Sequence, residues 1–316
     1  MFINSIDEEY YNTQMEQMKQ LVQIYHQIRY SDTYYLGLRY KRIKGIINQR
    51  FIRNLRNYWV EKKDSKRLDK LREDIQIEYN LHETRSYFSN EKIAVYTCVF
   101  GNYDHVYEPI CNPNNIDYYI FTDCNITLEK SSCWNKVDLS NFNEIIEGMT
   151  NIEKNRWFKM HAKELFGERY RYSVYIDGNV QPITDFTELV NKIGPLGIGM
   201  YGHKYNDCVY QEALTNIYQI KKAPQKDIEE QIRYLKMKEM PSHFGMTTCN
   251  VIARDHSSAI CEQIMDEWWK EFTNRCKRDQ LSFPYVVWKL GYRMQDVAVL
   301  GLDVWGSDAL IIHEHK

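Results

Sequence analysis

The order of apolar and polar positions divides the chain near residue 90. Upstream of that point almost nothing reads as strand. Apolar residues recur there at three- and four-residue steps, and from Leu36 through Tyr40, Ile43, Ile47, Phe51 and Leu55 to Tyr58 they share one helix face. Residues 61–80 continue as a mixed-charge helix and run into a polar link at "TRSYFSNE". Downstream, short apolar runs alternate with helical patterns, the signature of an α/β layer fold. Residues 93–100 form a continuous apolar strand closed by the turn signal Gly101-Asn102, and "DYYIFTD" is a second strand ending on Asp123. A helix starts near Thr150, with an apolar stripe of Phe158, Ala162 and Leu165 and a basic stripe of Arg156, Lys159 and Lys163 on another face. The strand "SVYI" then stops at Asp177-Gly178-Asn179. Beyond it come the apolar run "GIGMYGH", helices around 208–221 and 225–238, the strand "TTCNVIARD", the Trp-rich helix "AICEQIMDEWWKEF" and the run "RCKRDQLSFPYVVWKLG". Two units follow: a helical, basic amphipathic extension over 1–90 and an α/β domain over 91–316.

Charge sharpens the division. Residues 29–67 hold twelve Lys or Arg against three acids, a net +9 in a chain whose total is −2. A basic helix with an aromatic and aliphatic face can lie on an anionic membrane surface. It can equally pack its apolar side on the main domain; nucleic-acid binding is the weaker third reading and is not adopted. With 316 residues, 43% hydrophobic and 27% charged, the chain has the balance of a soluble globular protein. No run of about 18 apolar residues predicts a membrane span. The acidic start "MFINSIDEEYYN" lacks the order of a signal peptide, so the expected location is cytoplasmic, peripheral on the inner face of the plasma membrane if the basic helix docks there. Eight cysteines without a C-x-x-C pair argue against a zinc ribbon or a thioredoxin-type site and suggest buried, reduced thiols. Tyrosine is abundant, at 25 residues, which suits sugar-binding clefts and interfaces as well as cores.

Three strands end on polar residues: Asn102-Tyr103-Asp104, Asp123 and Asp177-Gly178-Asn179. In open, mostly parallel sheets such ends converge on one edge, where ligands bind. Asp-x-Asn offers two hard oxygen donors, which suit a divalent cation shared with phosphate oxygens. Asp-Gly is also a common turn, so this element by itself leaves both readings open.

Four segments occur in one order: "YTCVFGNYD", "KMHAKELFGERYRYSVYIDGNV", "HKYNDCVYQEA" and "RDQLSFPYV". Together they resemble a glycosyltransferase-like domain family with a GT-A type fold, found in bacterial polysaccharide clusters and in plant proteins linked to cell-wall and mucilage synthesis. The resemblance covers about residues 92–300 and leaves out 1–90. It implies a GT-A type (Rossmann-like) mixed sheet flanked by helices, and a nucleotide-sugar-dependent glycosyltransferase (a hexosyl- or related transferase). The acceptor would be a hydroxyl of a glycan or lipid-linked glycan in bacterial surface polysaccharide synthesis, such as capsule. A homo-oligomer is compatible with this reading. A non-catalytic, membrane-associated scaffold with the same fold is the alternative.

Residue by residue, the resemblance places Asp177 and Asn179, with Gly178 between, where the family holds Mn²⁺ or Mg²⁺ against the donor diphosphate. The Asn departs from the usual second Asp. Phe100, Gly101, Asn102 and Tyr103 would cradle the nucleotide, with Asp123 near its base or ribose. Arg156 and Lys159 would meet the diphosphate, or else form a solvated helix face. His203 and Glu212 would line the donor or acceptor pocket, and His243 belongs to a loop resembling an acceptor-side element. In "RDQ", Asp279 would accept or orient the acceptor hydroxyl's proton, or cap a helix, with Arg278 and Gln280 beside it. His315, and after it His313, would complete the metal shell once Ile311 and Ile312 anchor the tail in the core.

Overall fold

A computed structural model describes residues 91–316. The helical extension over 1–90, and with it the membrane-surface reading of 29–67, lies outside the described residues. Among those described, no helix is long and apolar enough to cross a membrane.

The strands are β1 (Ile93–Val99), β2 (Ile116–Thr122), β3 (Trp134–Lys136), β4 (Tyr172–Ile176), β5 (Val180–Pro182), β6 (Ile198–Gly202), β7 (Thr247–Asp255) and β8 (Leu310–Ile312). The helices are α1 (Asn143–Ile146), α2 (Asn151–Met160), α3 (Ala162–Phe166), α4 (Thr187–Asn191), α5 (Val209–Thr215), α6 (Gln225–Met237), α7 (Ala259–Asn274) and α8 (Asp279–Lys289). Six strands make one mixed sheet in the order β3-β2-β1-β4-β7-β6. The first four run parallel, and β7 lies antiparallel between β4 and β6. β5 and β8 form a separate antiparallel pair.

β1 is buried at every position, which explains its unbroken apolar run: helices or loops cover both faces of a central parallel strand. Side-chain alternation sorts the core into two layers. Ala94, Tyr96 and Cys98 face Phe158, Trp268 and Phe283 on one side, while Ile93 and Val95 face Phe186, Val190 and Leu310 on the other.

Two helix details position the site. α2 begins at a reciprocal cap: the Thr150 hydroxyl accepts from the Glu153 N–H (3.3 Å), and the Glu153 carboxylate accepts from the Thr150 N–H (3.0 Å). The single helix expected from residue 150 onward is two, because His161 leaves helical geometry (φ −103°, ψ 37°) before α3 resumes. After α5 the chain adopts one π-helical turn, Asn216–Ile220, which closes on a left-handed Lys221. The eight cysteines are free, six of them buried.

Candidate functional site

Parallel register brings the ends of β1, β2 and β4 to one edge, and glycine shapes the loops there. Gly101 and Asn102 both take positive φ (65° and 56°). Their amides are held by the next strand's end: Gly101 N–H donates to Asp123 Oδ1 (2.9 Å) and Asn102 N–H to Cys124 Sγ (3.0 Å). A Cβ on Gly101 would lie 2.1 Å from Asn151 Nδ2, and one on Gly178 would lie 2.6 Å from Val99 Cγ2 and 3.0 Å from Asp104 Cβ. The left-handed φ at Gly101 and the close packing on Val99 and Asp104 at Gly178 make a side chain costly at either position. Tyr103 is exposed at this edge, its ring 5.1 Å from that of His315. Phe100, expected beside the nucleotide, is instead buried in the core with its ring stacked 5.5 Å from Phe158, because the strand's alternation turns it inward.

Asp177 stands at this edge, partly open to solvent. Its N–H donates to Asn250 O (2.8 Å), Tyr175 O–H donates to its Oδ1 (2.8 Å), and its side chain keeps 28% exposure. Behind it lies a buried charge cluster. Lys159 Nζ sits 2.7 Å from Asp279 Oδ2 and 3.7 Å from Asp177 Oδ1 while being 1% exposed. Arg156 Nε is 2.8 Å from the same Asp279 oxygen. That nitrogen makes no aligned hydrogen bond, so its attraction to Asp279 is Coulombic; the other end of the guanidinium donates to Asn155. The basic stripe expected on α2 is therefore neither a solvated face nor, at Lys159, a surface for ligand. Lys159 reaches the cleft only through Asp177 and Asp279. Lys163, the third member, pairs outside with Glu262 (2.6 Å).

Asp279 opens α8 and is 1% exposed. Burial alone would raise its pKa; Arg156, then Lys159 and Arg278, more than reverse that and hold the carboxyl well below the usual carboxylate range. A carboxylate so acidic and so covered is a poor proton acceptor, which corrects the catalytic role expected for it. Its surroundings make it the counter-ion that fixes Arg156 and Lys159. Arg278, the helix N-cap, donates to Asn216 Oδ1 (3.1 Å) and Gln280 Oε1 (3.1 Å). From Asn216 the network continues inward to Glu212, whose Oε1 accepts from Asn216 Nδ2 (3.0 Å) and Oε2 from Asn206 Nδ2 (2.6 Å). Glu212 is 2% exposed, and His203 beside it is buried with Nδ1 accepting from the Asn206 N–H (3.0 Å). Neither lines an open pocket. They shape the loop that carries Asp207, and Asp207 Oδ1 in turn accepts from Nδ1 of the half-exposed His243 (2.8 Å). His243 itself takes a positive φ of 57°.

The tail returns to the edge, as anticipated. β8 pairs with β5, Ile312 is buried, and His313 N–H donates to Asn179 O (2.8 Å). Asn179 Nδ2 donates to His313 O (2.7 Å), which leaves Asn179 Oδ1 buried without a hydrogen bond. A buried amide oxygen left without a hydrogen bond, two residues from the partly open Asp177, is a donor of the kind a hard cation takes. The histidines suit it less. His313 stacks on Tyr107 (3.6 Å) and its Nε2 contacts Gln181 Oε1 (2.9 Å), which removes it from the metal set. His315 Nδ1 bonds Asp104 Oδ1 (2.7 Å), and its Nε2 faces Lys222 Nζ (3.3 Å). Among the described residues, no three His, Cys, Asp or Glu side chains gather at ligand spacing. Asp177 and Asn179 are thus the two residues whose oxygens would suit a divalent ion, while the His315 ring is engaged by Asp104 and Lys222.

The sequence reading missed one residue here, Lys222, and one pairing, that of Asp104. Asp104 stands inside the quoted "YTCVFGNYD", so its position was visible but its pairing was not. Lys222 follows a π turn that no pattern announces; desolvation and the charges of Arg278 and Arg156 lower its pKa, and Asp177 and Asp104 oppose that shift.

The family profile described as "TOD1/MUCI70, glycosyltransferase-like domain" matches residues 73–303. No curated protein matches the chain. Among solved structures, the apo WbbM bifunctional glycosyltransferase aligns with TM-score 0.38 and 13% identity over 68% of this chain, which spans 39% of that protein. Mouse xyloside xylosyltransferase 1, also apo, aligns with TM-score 0.37 and 9% identity over 66% of this chain and 84% of its own. The mannosyltransferase Ktr4p from S. cerevisiae aligns with TM-score 0.32 and 10% identity over 67% of this chain and 71% of its own. On the profile match, the chain belongs to the TOD1/MUCI70 glycosyltransferase-like family.

Proposed function

We propose that this member of the family transfers a sugar from a nucleotide-diphosphate donor to a hydroxyl of a glycan acceptor. The observation that carries the reading is the strand-end edge itself. Gly101 and Gly178 let the strand-end loops pack closely there, and Lys222 lies within electrostatic reach of Arg278 and Arg156 as well as of Asp177 and Asp104, so three cations gather at the edge that carries the Asp177-Gly178-Asn179 turn.

The residues divide the work by position. Tyr103, exposed at the edge, offers a ring face for a base, and Asp123 keeps the Gly101-Asn102 turn in the conformation that lets a nucleoside approach. Asp279 holds Arg156 at a fixed depth, so the guanidinium is organised before the ligand arrives. Asp177 and Asn179 are the residues that would hold Mn²⁺ or Mg²⁺, which would neutralise charge on the leaving diphosphate. In transfer, the acceptor oxygen bonds the anomeric carbon as the bond from that carbon to the β-phosphate oxygen breaks; the nucleoside diphosphate leaves with the bonding pair, and the hydroxyl proton passes to solvent. His243, held by Asp207 (2.8 Å), would serve the acceptor side, as the resemblance of its loop implies.

Screening nucleoside diphosphates by thermal shift, with and without Mn²⁺, tests the reading. One nucleotide at a hundred times its Kd would stabilise the folded state by about 2.7 kcal/mol, or roughly 5–10 °C for a domain of this size. No shift with any nucleotide would favour the scaffold alternative. The proposal extends to a lipid-linked glycan at the cytoplasmic membrane face, in surface polysaccharide synthesis. Its support is the +9 charge of residues 29–67. Pelleting with anionic liposomes at low salt tests it, and a chain that stays in the supernatant refutes it.

A further inference from the structure

We propose that Lys222 is a diphosphate-recognition residue of this site, delivered to the cleft by the π-helical turn Asn216–Ile220. The inference rests on the donor-site reading above and adds a residue that neither the motifs nor the family match assigns.

The geometry runs through four links. The π turn closes when Lys221 N–H donates to Asn216 O, five residues back (2.7 Å). Such a turn inserts one extra residue into the helical path, and π turns occur often at functional sites. Lys221 then takes a left-handed conformation (φ 55°), which reverses the chain. Lys222 Nζ arrives 3.3 Å from His315 Nε2, and His315 is tied to Asp104, whose side chain lies against Gly178. The ammonium is thereby brought to the Asp177-Gly178-Asn179 loop, although it is 43 to 45 residues away in sequence.

Its state of engagement separates Lys222 from the other cations. Lys159 is sealed and spent on Asp279 (2.7 Å). Arg156 contacts Asp279 and Asn155, and Arg278 donates to Asn216 and Gln280. Lys222 is exposed and meets an imidazole nitrogen, not a carboxylate. An ammonium carries three donors, so donors remain for phosphate oxygens. Its long stem lets it follow the ligand, whereas the paired guanidinium of Arg156 is fixed. Asn216, which closes the π turn, also accepts from Arg278, so one residue sets the positions of two cations that face the cleft.

The test compares full-length wild type with Lys222→Met, Lys222→Arg and the charge control Lys226→Met, whose lysine pairs with Glu230 on the exposed face of α6. Calorimetry measures the Kd of the nucleoside diphosphate found in the screen and of its parent nucleoside, with and without Mn²⁺. Thermal unfolding checks that each variant folds. The expected result is about tenfold weaker diphosphate binding in Lys222→Met, unchanged nucleoside binding, near wild-type affinity in Lys222→Arg, and no effect of Lys226→Met. Diphosphate affinity within twofold of wild type in Lys222→Met overturns the proposal, as does an equal loss for the nucleoside or for Lys226→Met. If wild type binds no nucleoside diphosphate, the donor-site reading falls and this proposal falls with it. That result differs from the case in which wild type binds and Lys222→Met binds equally well.

Discussion

Replacing Asp279 by asparagine keeps the shape of the side chain and removes one negative charge from between Lys159 and Arg156. Both cations stay where they are, at 2.7 and 2.8 Å from the substituted oxygen, and the site is 1% exposed. Breaking a buried pair from one side leaves an uncompensated charge in a poorly solvated place and costs about 3–5 kcal/mol. For a domain of this size that corresponds to a fall in Tm of roughly 6–20 °C. The sign of the pH dependence follows from the depressed carboxyl. Its stabilisation is complete above the ordinary carboxylate pKa near 3.9 and is lost as pH falls toward the folded value. The gap between wild type and variant should therefore be constant from about pH 5 to 8 and should narrow below about pH 4. Urea unfolding followed by tryptophan fluorescence and by circular dichroism measures it. Adding Lys159→Met to Asp279→Asn should recover part of the loss, since it removes the stranded ammonium. A single variant within 1 kcal/mol of wild type at pH 7, with unchanged m, would refute the counter-ion role. It would restore Asp279 as a candidate proton acceptor, for which transfer and not stability should suffer.

Other substitutions probe the edge directly. Asn179→Ala removes the bond to His313 O and should cost about 1–3 kcal/mol while making residues 310–316 more sensitive to carboxypeptidase; an unchanged digestion rate would contradict the anchoring role. Gly178→Ala drives a methyl group against Val99 and Asp104 and should cost about 1–3 kcal/mol in chemical denaturation, which a neutral result would dispute. Asp123→Ala frees the Gly101 amide and should weaken nucleoside binding about tenfold with little change in Tm, as titration calorimetry would show. His313→Gln should leave the Mn²⁺ dependence of donor binding unchanged, because the ring is held by Tyr107 and Gln181; a tenfold loss of Mn²⁺ affinity would return His313 to the metal set.

What the sequence displayed and what it hid differ by the range of the interaction. The strands at 93–99, 172–176 and 247–255 could be read because burial on both faces or polar termination is a local pattern. The start of α2 could be read because its cap spans only Thr150 and Glu153. The fate of the basic stripe could not, since the partner of Lys159 lies 120 residues downstream. Periodicity reports that two residues share a face and says nothing of what that face meets. Phe100 was misplaced for the same reason: alternation in β1 decides its side, and its neighbour Phe158 comes from a distant helix. The tail's return was legible in Ile311 and Ile312, yet the separate engagements of His313 and His315 depended on Gln181 and Asp104.

The bond between Asp104 and His315 spans 211 residues. At synthesis rates of about 5–20 residues per second, roughly 10–40 s separate the appearance of its two ends. Strands β1, β2 and β4 are on hand early in that interval and can pair. The latch on Asp104 and the partner strand for residues 180–182 arrive only with residues 310–316. The strand-end edge therefore gains its latch well after β1, β2 and β4 are available to pair, and the sheet can form before the edge is closed.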